Sequence, residues 1–194
     1  IGWYGPDPLE AVGSQPFTES DPPATDFLGQ TCVEWENSSQ AFEDLGCRRV
    51  ILRTGIVLSK RGGALPEFLK PLAFKVAATL GNGRQIISWI HVQDLCQQFL
   101  WALENPAATG VYNAVAPAAV SNEEMTKTLA QVLGGKHYLH IKVPAFVLKA
   151  VLGEMSIEVL KSTHVSAQKI MDQGFQFCYP QLTPALQDLM GIKS

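Results

Sequence analysis

Stretches that would mark a membrane protein, a metalloprotein or a nucleotide-phosphate loop are missing from these 194 residues. No apolar run reaches the 18 or so residues of a spanning helix, and no basic-then-apolar leader is present, so the expectation is a cytoplasmic protein with no membrane partner. The four cysteines, Cys32, Cys47, Cys96 and Cys178, form no CxxC and no Cys-His pair at zinc-ligand spacing, which predicts reduced thiols. His137 and His140 stand three apart without a third ligand nearby, so no metal is expected. Basic residues are few and scattered. With 15 of them against 18 acids, a net charge of -3 and only "CRR" and "SKR" as clusters, no nucleic-acid surface is expected. None of the 16 glycines forms GxGxxG, GxxGxxG or a Walker loop, and no GxSxG elbow occurs. "GNGRQI" has two of the needed glycines but no preceding strand, and reads as a turn.

What remains is an ordinary globular composition, 46% hydrophobic and 17% charged, with length for one sizeable core plus a small appendage. The opening "IGWYG" reads as the carboxyl end of a buried strand. About 20 residues rich in Pro, Gly, Ser and acids follow without apolar periodicity, a loop of the length that often covers a site. Cys32, Trp35, Phe42 and Leu45 then mark one face of a helix ending at Gly46. "RRVILRTGIVLS" has the continuous β-branched character of a strand covered on both faces. Strand, loop, helix and strand make one right-handed crossover unit of a parallel sheet.

Further on, "GGALPEFLKPLAFKVAATLGNGRQ" reads as a glycine turn, a proline-marked helix and a second turn. "IISWIHVQDLCQQFLWALEN" passes from a short strand into a helix whose buried face carries Leu95, Phe99 and Leu103, and "GVYNAVA" is another strand. Ser121 and Glu124 form a capping box before a helix with Met125, Leu129, Val132 and Leu133 on one side. The tail supplies three or four short helices, beginning near "PAFVLKAVLGE". The domain reading is therefore 1–142 for the α/β part and 143–194 for a helical part.

Side chains with chemical potential collect at predicted strand ends, where α/β sheets place their ligands. They are Tyr4 before Gly5, the segment Arg53-Thr54-Gly55, and Trp89, His91 and Asp94 in "SWIHVQD". A Trp can stack on a ring and a His can carry a proton near neutral pH. Each also has a plain structural use: Trp89 in the core, Asp94 at a helix N-terminus, Arg53 snorkelling.

The ordered series "IGWYG", "DFL...C..WE", "RTGIVLS..GGALP", "GNGRQ..SWIHVQDL" and "GVYNAVAP" resembles the short-chain dehydrogenase/reductase superfamily. More closely it is similar to its atypical, epimerase-family branch, nucleoside-diphosphate-sugar-epimerase-like proteins whose helical C-terminal domain resembles the tail here. That resemblance implies the C-terminal half of a Rossmann-like doubly wound parallel sheet plus a small, mostly helical substrate-side domain. It implies that a glycine-rich half, on the order of a hundred residues, precedes Ile1. It implies NADP or NAD as cofactor; placement at the predicted strand ends then puts Arg53, Thr54, Gly55 and Ile56 at the dinucleotide, Tyr4 and His91 (with Cys32 as a further substitute acid) as catalytic residues, and Trp89 facing a small-molecule substrate. The family's Tyr-Lys pair, four residues apart, has no counterpart: in "DFLGQTCVEWE" Phe27 pairs with Thr31 and Leu28 with Cys32. Where nucleotide-sugar epimerases carry a phosphate-gripping Arg, this sequence has Ile87. Two readings therefore stay open, an NAD(P)-dependent oxidoreductase or isomerase and a non-catalytic dinucleotide-binding sensor. The tail serves either as a lid or as the contact of a homodimer.

Overall fold

The computed structural model describes residues 2–6, 15–134 and 137–192. Part of the expected loop, 7–14, lies outside the described residues. The apolar run after Arg49 forms two strands in one line, β1 (Val50–Thr54) and β2 (Ile56–Ser59), separated by Gly55. β1 pairs in parallel with β7 (Gly110–Ala114), whereas β2 pairs in parallel with β6 (Trp89–His91) and antiparallel with β3 (Gly62–Gly63). The exchange of neighbours happens at Gly55, whose N–H donates to Ala114 O at 3.0 Å while Ile56 N–H donates to Ser88 O at 2.9 Å. A Cβ on Gly55 would lie 2.5 Å from Ser88 O and 2.8 Å from Val115 Cγ1. Only glycine lets the strands pass this closely.

α1 (Phe27–Ser38) starts where Asp26 accepts a hydrogen bond from Gly29 N at 2.8 Å, and α2 (Gln40–Asp44) follows after a break at Ser39. The sequence predicts one continuous helix here. Ser38 and Ser39 hydroxyls bond back to the Trp35 and Glu36 carbonyls, and Arg49 takes the Glu36 carbonyl at 2.7 Å, so side chains have claimed the acceptors that would carry the helix on. The expected buried face is turned outward: Trp35 is 72% and Leu45 78% exposed. Nor does the opening segment lie in a strand. Residues 2–6 are bent chain held by Ala24 N–H on Trp3 O at 2.7 Å, although Tyr4 is buried as expected.

α3 (Leu65–Ala73) tolerates Pro71 inside it and leads into β4 (Val76–Leu80), which pairs in parallel with β9 (Leu139–Val143). β5 (Ile86–Ile87) pairs antiparallel with β8 (Val120–Ser121). α5 (Asn122–Val132) begins with the predicted Ser121 cap, its hydroxyl accepting from Glu124 N at 3.1 Å. α4 (Val92–Glu104) buries Asp94, Gln98 and Ala102, so its interior face is not the predicted Leu95-Phe99-Leu103 stripe. Asp94 is the reason: its carboxylate accepts from the backbone N–H groups of Cys178 and Tyr179 at 2.7 and 3.0 Å, turning that side of the helix inward.

The tail forms α6 (Ala145–Leu152), α7 (Met155–Leu160), α8 (Gln168–Asp172) and α9 (Leu182–Met190). α9 shares the largest core with the α/β part. Leu182, Ala185, Leu186 and Leu189 pack with Leu58, Trp89, Met125 and Leu129 in one cluster. Full burial of each large aliphatic there contributes about 1.5–3 kcal/mol. Two smaller clusters join the strand ends to the tail, Tyr4 with Val115, Val165 and Ala167, and Tyr112 with Ile170 and Phe175.

Candidate functional site

At the carboxyl end of β1 a polar network crosses four segments of chain. The Arg53 guanidinium donates to both Glu36 carboxylate oxygens at 2.7 and 3.0 Å, to Glu19 O at 3.2 Å and to the Tyr4 hydroxyl at 3.4 Å. It lies 3.4 Å from the centre of the Trp3 ring, a cation-π contact. Tyr4 in turn donates to Asn113 Oδ1 at 2.6 Å and stacks on Phe17 at 5.1 Å. Asn113 closes the set by donating its backbone N–H to Glu19 Oε1 and its amide to Ser166 O. Burial raises the Tyr4 phenol above its ordinary range, with Arg53 and Asn113 opposing. It therefore stays protonated and serves as a donor.

His91 and Trp89 lie apart from that network. His91 Nδ1 accepts from Gln93 N at 3.0 Å, which places the imidazole proton on Nε2, facing Asp188 Oδ2 at 3.3 Å without a formed hydrogen bond. Its ring packs 4.1 Å from that of Tyr179. Burial lowers its pKa, and the nearby Asp188 and Asp94 charges only partly offset that. Trp89 is fully buried and donates its indole N–H to Ala118 O at 2.8 Å. The partners of His91 share no residue with those of Tyr4. The structure thus does not gather Tyr4, Trp89 and His91 round one space.

Two clefts flank the strand switch. The smaller, about 310 Å³, is lined by Trp3, Cys32, Trp35, Glu36, Arg53 and Thr54 among others. Burial raises the Cys32 thiol pKa, which leaves it a poor nucleophile at neutral pH. The larger, about 520 Å³, lies between Ile56 and Ser88 on one side, Phe68 and Leu80 on another, and Met155, Lys161 and Thr163 of the tail. Ser88 is fixed there, donating to Thr163 O at 2.8 Å and accepting from Val165 N at 2.9 Å. A cleft of this size holds a small organic molecule. Of the four residues expected at the cofactor, Ile56 lines this cleft, Arg53 and Thr54 line the smaller one, and Gly55 lies between. Lys161 and Glu36, which line the clefts, and Asn113 of the polar network are side chains that the sequence does not single out. Among the described residues no group of three or more His, Cys, Asp or Glu side chains is arranged to hold a metal ion.

An α/β frame with parallel strand pairs, a cleft beside its strand switch and a helical tail is the arrangement of a Rossmann-type fold. Residues 3–115 match the NAD dependent epimerase/dehydratase family, and the chain belongs to that family. Residues 143–189 match a domain of unknown function designated DUF1731. Epimerase family protein YfhF of Bacillus subtilis is 38% identical over 98% of this chain and 60% of its own length. Epimerase family protein SSP1921 of Staphylococcus saprophyticus is also 38% identical, over 98% of this chain and 62% of its own length. The chain thus spans about three fifths of these curated relatives. Among solved structures, human epimerase family protein SDR39U1 (isoform 2) with NADPH superposes with a TM-score of 0.88 at 30% identity, covering 98% of this chain and 63% of that one. The nucleoside-diphosphate sugar epimerase from Corynebacterium glutamicum gives 0.73 at 28% identity, over 92% and 34%.

Proposed function

We propose that the protein carrying this chain is an NAD(P)-dependent oxidoreductase or epimerase-like isomerase acting on a small molecule in the larger cleft. The observation that supports it is the position of that cleft: it opens at Ile56 and Ser88, just past the carboxyl end of β1, and open α/β sheets take ligands outside the carboxyl ends of their strands. The residues present fit one end of a nicotinamide dinucleotide. Ile56 offers an apolar wall to a ring, while the Arg53 guanidinium is committed to Glu36, Glu19 and Tyr4 and offers no clamp for phosphate. When bound, the nicotinamide supplies a two-electron hydride donor or acceptor. NADP is favoured over NAD by the NADPH-bound human neighbour.

In this reading Tyr4, Trp89 and His91 stand behind the cleft rather than in its lining, each 2% exposed or less with its polar atoms facing protein. A second reading rests on the missing Tyr-Lys pair: a dinucleotide-binding sensor without turnover. Incubating the full-length protein with NADPH or NADP and a panel of small carbonyls and alcohols separates the two. Hydride transfer at 340 nm supports the enzyme, saturable binding without transfer supports the sensor, and neither binding nor transfer contradicts both.

A further inference from the structure

Among the described residues lining the larger cleft, Lys161 alone has a buried polar atom without a hydrogen bond. It caps α7, and its side chain is 6% exposed. Two carboxylates hold it loosely, Asp26 and Glu158, each 3.7 Å from Nζ and each nearly half exposed. Charge-assisted hydrogen bonds run about 2.7–2.9 Å, so these contacts supply countercharge without using the ammonium's donors. An unbonded buried donor is costly, and a ligand oxygen that accepts from it recovers that cost. Lys161 lines the cleft, and no hydrogen bond tethers Nζ at the end of its flexible four-carbon stem.

The surroundings restrict what that oxygen belongs to. Lys161 with Asp26 and Glu158 carries a formal charge of minus one, and Glu67 adds a further carboxylate, already occupied by Lys70 at 2.6 Å. A phosphate or carboxylate placed there meets net repulsion. Ile87 lines the same cleft as an alkyl wall. Phe68, Leu80, Ile86, Met155 and Val159 continue that apolar surface. Ser88 is already committed to Thr163 and Val165.

We propose that Lys161 binds and polarises the oxygen of a neutral, mainly apolar carbonyl compound, or of the corresponding alcohol, and that the cleft rejects nucleoside diphosphates. This assignment of substrate class and residue rests on the oxidoreductase reading above. Its test is calorimetric titration of the full-length protein with 4-phenylbutan-2-one, with its anionic analogue 4-phenylbutyrate and with UDP-glucose. Lys161→Met is expected to weaken ketone binding about tenfold or more, the worth of one hydrogen bond to a charged donor, and Lys161→Arg to restore most of it. The ketone is expected to bind more tightly than either anion. In wild-type protein, independently of how the methionine variant folds, the Lys161 ε-methylene resonance, assigned by its loss in Lys161→Arg, moves with ketone concentration. Ketone affinity unchanged in a folded Lys161→Met, no saturable ketone binding, an unmoved resonance, or tighter binding of UDP-glucose would each overturn the proposal. Because these titrations contain no cofactor, a failure of NADPH binding sinks the functional reading and leaves this result to be judged separately.

Discussion

A guanidinium buried against a carboxylate, a phenol and an indole is stable as a set and unstable when one member is removed. Glu36 is the countercharge to Arg53, whose side chain is only 6% exposed. Replacing it by Gln strands a buried cation, and Glu36→Gln is predicted to lower unfolding free energy by on the order of 3 kcal/mol, measured by urea denaturation. A loss within about 0.5 kcal/mol, the range of ordinary surface changes, would show that water reaches Arg53. His91 makes a different prediction, one of pH. Its pKa is lowered in the fold by burial, so the unfolded chain binds the proton more readily. Stability from this group is present above the unfolded value of about 6.5 and falls as pH drops from there through the lower folded value. Wild-type melting temperature should therefore fall more steeply between pH 7.5 and 5 than that of His91→Gln. Equal slopes would mean that Asp188 cancels the burial effect.

At the scale of elements, the joint between β1 and β2 governs the site, because Gly55 hands one strand from Ala114 to Ser88. Gly55→Ala places a methyl carbon against the Ser88 carbonyl, and the predicted loss is about 1–3 kcal/mol with ligand binding weakened in parallel. Thermal melts alongside the ketone titration check it; an undisturbed melt would mean that the strands separate freely there. Continuous elements were legible in the sequence where composition speaks directly, as in the β-branched run through Ile51 and Ile56 or the Ser121 cap of α5. Others were hidden. β4 lies where the sequence reading runs the proline-marked helix on to the Gly-Asn-Gly turn; the helix ends instead at Ala73 and the chain turns at a left-handed Lys75, φ 61°. The interior face of α4 follows Asp94 and its distant backbone partners, a contact 84 residues away that periodicity does not encode. Lys161, at the end of a six-residue helix, carries no local pattern at all.

Over the whole molecule, the frame and the family were readable from the order of the strand-end motifs, while the clefts were not, because their walls come from segments far apart in the chain. Tyr4 and Trp89 are each 0% exposed and line neither cleft. Large apolar side chains, conversely, face outward on α1, α2 and α4, with Phe27 82%, Phe42 58%, Phe99 54% and Leu103 74% exposed. Large apolar side chains left this exposed favour association. These 194 residues expressed alone are therefore predicted to bind a hydrophobic dye and to self-associate with rising concentration, seen by ultracentrifugation. A dye-silent monomer would show that the helices cover themselves.

We propose that a nicotinamide dinucleotide meets this chain at the edge of the larger cleft, against Ile56, which lines it. The most direct test is a fluorescence titration of NADPH into the full-length protein and into its Ile56→Asp variant. Saturable binding is expected, weakening about tenfold or more when a charge is placed on that apolar wall. Saturable binding unaffected by Ile56→Asp, or no binding by the wild-type protein, would contradict it.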